Sequence, residues 1–274
     1  MRHSRSSSKN PKVKDWTSSY RTKGNPQFFA DAFRALSKDG DGNGGLMMIG
    51  LIGQRDIPGH TLRTAQSVLR WDARPSLWSH AFLIADRLDR AASNLAKTPV
   101  LEVTLHPRDG QFPTPETNGV MRGTLGAYDE RIVDANVALL AVKMSDKEAK
   151  QVRERAENYN VDRIRYNLWE TLGTWQGFLW AQGARPNPLR EGVPIFSSSY
   201  VEMAYEAINL DLTPGASERN SAPEHLWNAA LWWHEAFQEE GHPISGCCVL
   251  RDMGCSLMST DEWSGPARAR KRKK

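Results

Sequence analysis

Three short stretches, far apart in the chain, hold the residue types of a covalent hydrolase. They are Trp78-Ser79-His80, Leu101-Glu102-Val103 and the serine cluster Ser197-Ser198-Ser199. An imidazole base, a carboxylate to orient it and a nucleophile are the parts that acyl transfer requires. Here they follow one another in the order His, Glu, Ser. Each has a plainer reading beside the chemical one. A histidine on an apolar strand is commonly a packed core residue, and serines at the head of a helix-like run are good N-caps. Glu102 lies in an apolar strand, where an unpaired carboxylate is costly, so it needs an imidazolium, an arginine or a surface position.

The elements that would position these residues can be read from periodicity. Pro26 to Ser37 has apolar residues at helical spacing with proline at its start. Leu46 to Ile52, Ser79 to Ala85, Val100 to Leu105, Asn136 to Val142 and Cys247 to Leu250 read as strands. Thr61 to Arg70, Trp169 to Gln182, Ser198 to Asn209 and Pro223 to Gln238 read as helices. Ser145-Asp146-Lys147-Glu148 is a capping-box pattern that starts another, running to about Tyr159. Residues 107–126, rich in Gly, Pro and Thr, read as a loop. Adjacent short strands mixed with helices predict an α+β fold with an antiparallel sheet.

The segment Trp78-Ser79-His80-Ala81-Phe82-Leu83-Ile84 resembles the histidine strand of circularly permuted papain-like amidohydrolases. That superfamily includes bacterial cell-wall endopeptidases and lecithin:retinol acyltransferase-like proteins. In its permuted members the histidine precedes the nucleophile, and a polar residue on the next strand orients it; Glu102 matches that place. Arg165-Tyr166-Asn167 is similar to the Tyr-Asp element ahead of the nucleophile. The family's nucleophile motif is Cys-Ser, two further residues, then Val and a helix carrying Ala-Tyr. Here the text is Phe196-Ser197-Ser198-Ser199-Tyr200-Val201-Glu202-Met203-Ala204-Tyr205. Ala222-Pro223-Glu224-His225-Leu226-Trp227 resembles the Thr-Pro-Glu-Asp-Leu element that follows that helix. The likeness runs from Leu46 to Leu231.

This resemblance implies a permuted papain-like fold with an antiparallel sheet packed against helices and the nucleophile at a helix N-terminus. It implies Ser197, His80 and Glu102 as catalytic residues and Trp78, Tyr166 and Ser198 as substrate-binding ones. No metal or other cofactor is implied. The bond attacked would be an amide, isopeptide or (thio)ester in a peptide, peptidoglycan or acyl substrate. The departure is at the nucleophile, where Ser197 stands in the place of cysteine. A thiol beside an imidazole at a helix N-terminus ionises readily, whereas a hydroxyl needs general-base help during the attack itself. A natural serine enzyme, a natural inactive relative and a cysteine enzyme with its nucleophile replaced all fit this lettering. A non-catalytic module that keeps the cleft for recognition is the second class of function.

Length, charge and cysteines bound the rest. At 274 residues the chain suits one large domain or two small ones. We divide it into a basic tail at 1–25, predicted to be disordered, one papain-like α+β domain at 26–262 and a basic tail at 263–274. Met1 to Gly24 holds seven Lys/Arg against Asp15, and Pro266 to Lys274 holds six with no acid. Taking this +12 from the net +4 leaves about −8 on the body. The tails are therefore expected to meet an anionic partner, if they have one. No run approaches the ~18–20 apolar residues of a membrane span, and no apolar stretch follows the basic N-terminus as in a signal peptide. Three cysteines, Cys247, Cys248 and Cys255, form neither a disulfide framework nor a zinc spacing, which predicts synthesis in a reducing cytoplasm. Asp39-Gly40-Asp41-Gly42-Asn43-Gly44 imitates the opening of a calcium loop, but Gly50 stands where the bidentate Glu belongs.

Overall fold

A computed structural model describes residues 13–20, 24–39, 45–85, 95–103, 120–128, 134–161 and 197–257. Among these residues seven strands form one sheet in the order β1-β7-β6-β2-β3-β4-β5. They are β1 (Val13–Asp15), β2 (Gly45–Gln54), β3 (His80–Ile84), β4 (Pro99–Val103), β5 (Val120–Thr124), β6 (Asp134–Met144) and β7 (Ile244–Leu250). The helices are α1 (Thr17–Tyr20), α2 (Asn25–Asp39), α3 (Ile57–Ala65), α4 (Asp146–Val161), α5 (Ser197–Tyr205), α6 (Pro223–Asn228) and α7 (His234–Glu239). A π-turn over Ala229–Trp233 joins the last two. The fold is α+β.

β2 is central, antiparallel to β3 on one side and β6 on the other. Both of its faces are covered, which is why it reads as an unbroken apolar run. On one face Leu51, Leu83, Leu101 and Val142 pack against Tyr200, Val201 and Ala204 of α5. On the other, Met48, Phe82, Val137 and Val249 pack against Phe28, Phe29 and Phe33 of α2. Successive strand residues point to opposite faces, so each of these strands serves two cores. α4 opens on the expected capping box: Ser145 N donates to Glu148 Oε2 at 2.8 Å, and Glu148 N donates to Ser145 Oγ at 3.2 Å.

Four expectations are corrected. Residues 13–20, assigned to a disordered tail, belong to the fold: β1 pairs with β7, and Trp16 stacks on Tyr20 with ring centroids 5.6 Å apart. Two aromatic rings and a strand register outweigh the basic residues around them. That pairing is parallel, so the sheet is mixed and not purely antiparallel. Within the segment 107–126, read as loop, Val120–Thr124 is strand β5 and Leu125–Tyr128 is a 3₁₀ turn. The helix expected over Thr61 to Arg70 starts earlier, capped by Asp56 Oδ1, which accepts from Gly59 N at 2.9 Å, and tightens to a 3₁₀ turn at Gln66–Leu69. Tyr166, the helix expected over Trp169 to Gln182, the calcium-like loop from Gly40 to Gly44 and the tail 263–274 lie outside the described residues. No helix among those described is long and apolar enough to cross a membrane.

Candidate active site

His80 opens β3, and the four residues ahead of it are individually fixed. Ser76 Oγ donates to Glu224 Oε2 at 2.7 Å and accepts from Trp78 N at 3.0 Å. Leu77 O accepts from Asn136 Nδ2 at 3.0 Å, and Trp78 O from Gln66 Nε2 at 3.0 Å. Ser79 N donates to Ile52 O at 2.8 Å, and its Oγ accepts from Gln54 N at 3.0 Å. Burial pushes the Glu224 carboxyl up to about 6, against the opposing pull of Ser76 and Arg70. Burial likewise pushes the His225 imidazole down to about 4. A neutral ring suits its observed role, in which Nδ1 accepts from Ala222 N at 3.1 Å and caps α6. The segment Ala222 to Trp227 thus braces the approach to His80.

His80, Phe82 and Glu102 share the α2 face of the sheet, since Phe82 pairs with Gly50 on β2 and Glu102 sits one residue past Leu101, the partner of Leu83. His80 Nε2 lies 2.9 Å from Glu102 Oε2, and both side chains are buried. It also lies 2.9 Å from the Tyr128 hydroxyl. That hydroxyl donates to Glu102 Oε2 in a short hydrogen bond. A carboxylate accepts only, so it places the imidazole proton on Nε2 and leaves the Nδ1 lone pair as the basic one.

Ser197 is the first residue of α5, which packs on the opposite face. Its Oγ accepts from Ala81 N at 3.2 Å, in the residue immediately after His80. The ladder permits this contact. Among the described residues β3 and β4 pair at Leu83 with Leu101 and Ile84 with Val100, and no strand partner is found on that side for the first residues of β3. The structure therefore brings Glu102 to the His80 ring and the Ser197 hydroxyl to the main chain one residue further on, with no hydrogen bond between that hydroxyl and the imidazole. As α5 begins at Ser197, its first N–H groups have no partner within the helix and carry the positive end of its dipole.

The remaining sequence-derived positions fall differently. Trp78 is fully buried against Trp227, ring centroids 4.9 Å apart, so it is a core residue and not a groove wall. Ser198 Oγ donates to Ser221 O at 2.6 Å, which engages its hydroxyl within the protein. Cys247, Cys248 and Cys255 are buried thiols in no disulfide among the described residues. Burial pushes the Cys248 thiol up to about 12 and raises that of Cys255, the opposite of a nucleophilic cysteine. Among the described residues no group of three His, Cys, Asp or Glu is placed to hold a metal ion. Tyr128 was not anticipated, because it ends a Gly- and Thr-rich stretch with no periodic pattern of its own.

No protein-family model, no curated protein and no solved structure matches this chain.

Proposed function

We propose that this chain is a circularly permuted papain-like hydrolase acting on an amide, isopeptide or (thio)ester bond, with Ser197 at the nucleophile position. The observation that carries the reading is the Nε2 contact of His80 with Glu102, made next to the residue whose main-chain N–H holds the Ser197 hydroxyl. Nδ1 is attached to the ring carbon that joins the side chain, so it is the ring nitrogen nearer the main chain, where Ser197 docks. In the reaction, Ser197 Oγ attacks the carbonyl carbon as His80 Nδ1 takes its proton. The tetrahedral oxyanion faces the N–H groups at the start of α5. Collapse breaks the bond to the leaving group, which takes the proton from Nδ1 and departs, leaving an acyl-serine. Water then attacks, gives its proton to Nδ1 and releases the acid, and the proton returns to Ser197. The Ala81 N–H, already donating to Oγ, favours negative charge on that oxygen as it reacts.

By the same resemblance the substrate is a peptide, a peptidoglycan stem or a lipid acyl group, and the basic tails supply contact with an anionic partner. A second reading, a non-catalytic papain-like binding module, is favoured by one observation. A hydroxyl occupies a site whose cysteine relatives rely on easy thiolate formation. Thiol chemistry separates the two. The Ser197→Cys protein, exposed at neutral pH to a thiol-reactive acyl probe, is expected to label at position 197 by peptide mass mapping. Adding His80→Ala should slow this by about 100-fold or more, the usual worth of a positioned base. No labelling at 197, or labelling indifferent to His80, would leave the binding module standing.

A further inference from the structure

Tyr128 is held by its ring, its main chain and its hydroxyl. Its ring stacks on Phe82 with centroids 4.7 Å apart and planes 9° from parallel. The Phe82 ring in turn covers Gly50, where even a methyl group would lie 2.0 Å from its Cζ. The main-chain oxygen of Tyr128 accepts from Asn25 Nδ2 at 2.9 Å, and Asn25 Oδ1 accepts from Arg251 Nη1 at 3.0 Å. These contacts deliver the hydroxyl to the one carboxylate oxygen that also faces His80. A phenol has a single proton. Once that proton goes to Glu102 Oε2, the Tyr128 oxygen can only accept from His80 Nε2. Glu102 and Tyr128 then both require a proton on Nε2, and a lone pair there would face two oxygens and no hydrogen.

We propose that Tyr128 is a positioning residue: its hydroxyl locks the Glu102 carboxylate and, with it, fixes the His80 imidazole as the Nε2–H tautomer, which leaves Nδ1 as the basic ring nitrogen. The proposal rests on the site reading given above. It adds a fourth member, supplied by the turn after β5, whose work is to choose between tautomers. That choice matters more for a hydroxyl nucleophile than for a thiol. A thiolate forms ahead of the attack, whereas Ser197 must hand its proton to an Nδ1 that is already free.

Tyr128→Phe keeps the stacked ring and removes only the hydroxyl. In the full-length protein, the imidazole Nε2–H resonance assigned by its loss in His80→Ala is expected to be slow to exchange with water. In Tyr128→Phe it should broaden or move, with ring nitrogen shifts of mixed tautomers, while thermal unfolding stays close to that of the parent. In the Ser197→Cys background the acyl probe should react about tenfold more slowly when Tyr128→Phe is added, the scale of one charge-assisted hydrogen bond. Gly50→Ala, which drives a methyl into Phe82, should disturb the same resonance without touching the hydroxyl. An unchanged Nε2–H resonance and an unchanged labelling rate in Tyr128→Phe would overturn the proposal, even with labelling that depends on His80. A resonance that depends on Tyr128, found where labelling ignores His80, would support the positioning role and remove the hydrolase reading instead.

Discussion

Glu202 shows how one buried group leaves a signature in solution. It lies on the inner side of α5, 1 % exposed, and its Oε1 accepts from Leu212 N at 2.8 Å. Burial, with the charge of Asp211 added, pushes its carboxyl up to about 9 from an ordinary 4.5. Between those values the folded chain keeps a proton that the unfolded chain gives up. This contribution to stability is complete below about pH 4.5 and is lost as the pH rises to about 9. Urea midpoints measured across that window should therefore fall with pH in the parent and fall less steeply in Glu202→Gln. Parallel slopes would show that Glu202 is ionised in the fold. Nothing in the text Val201-Glu202-Met203 announces this, because a helix pattern does not say which glutamate faces inward. His80 and Glu102 were legible because polar residues stand out on apolar strands. Tyr128 was not, since its partners come from β3 and β4 and only the folded sheet brings them within reach.

Among the elements, α3 and the segment after β7 are joined by Arg63. Its side chain is fully buried, with Nε donating to Ser76 O at 2.8 Å, Nη1 to Asp252 Oδ2 at 2.9 Å and Nη2 to Asp252 O at 2.9 Å. One guanidinium thus ties a helix, the approach to His80 and the C-terminal segment together. Arg63→Met fills much of the volume but strands Asp252, and we expect a loss of about 3–5 kcal/mol in chemical denaturation. A loss below about 1 kcal/mol would mean that Asp252 finds water instead. The strands that carry the site were readable because burial on both faces enforces long apolar runs such as Leu46 to Ile52. β5 was missed for the opposite reason. At the edge of the sheet among the described residues, Val120-Met121-Arg122-Gly123-Thr124 includes a glycine and exposes alternate residues, so composition there favours a loop. α5 read well as a helix, but nothing in its letters placed its first residue against Ala81.

At the scale of the molecule, the charge sums misled in one respect. Seven cations before Gly24 suggested a segment apart from the fold, yet Trp16 and Tyr20 within it join the α2-face core. Removing residues 1–12 should therefore leave the melting temperature close to that of the full chain, whereas removing residues 1–23 should lower it by several degrees, as for a loss of roughly 1–2 kcal/mol. Equal melting temperatures for the two truncations would show that β1 and α1 contribute nothing. The pairing of β1 with β7 bears on how the chain acquires its shape as well. Thr17 Oγ1 accepts from Leu250 N across 233 positions. On the ribosome β1 must wait for β7 before the two can pair. That edge of the sheet therefore closes late in folding, after β2, β3 and the imidazole have already met.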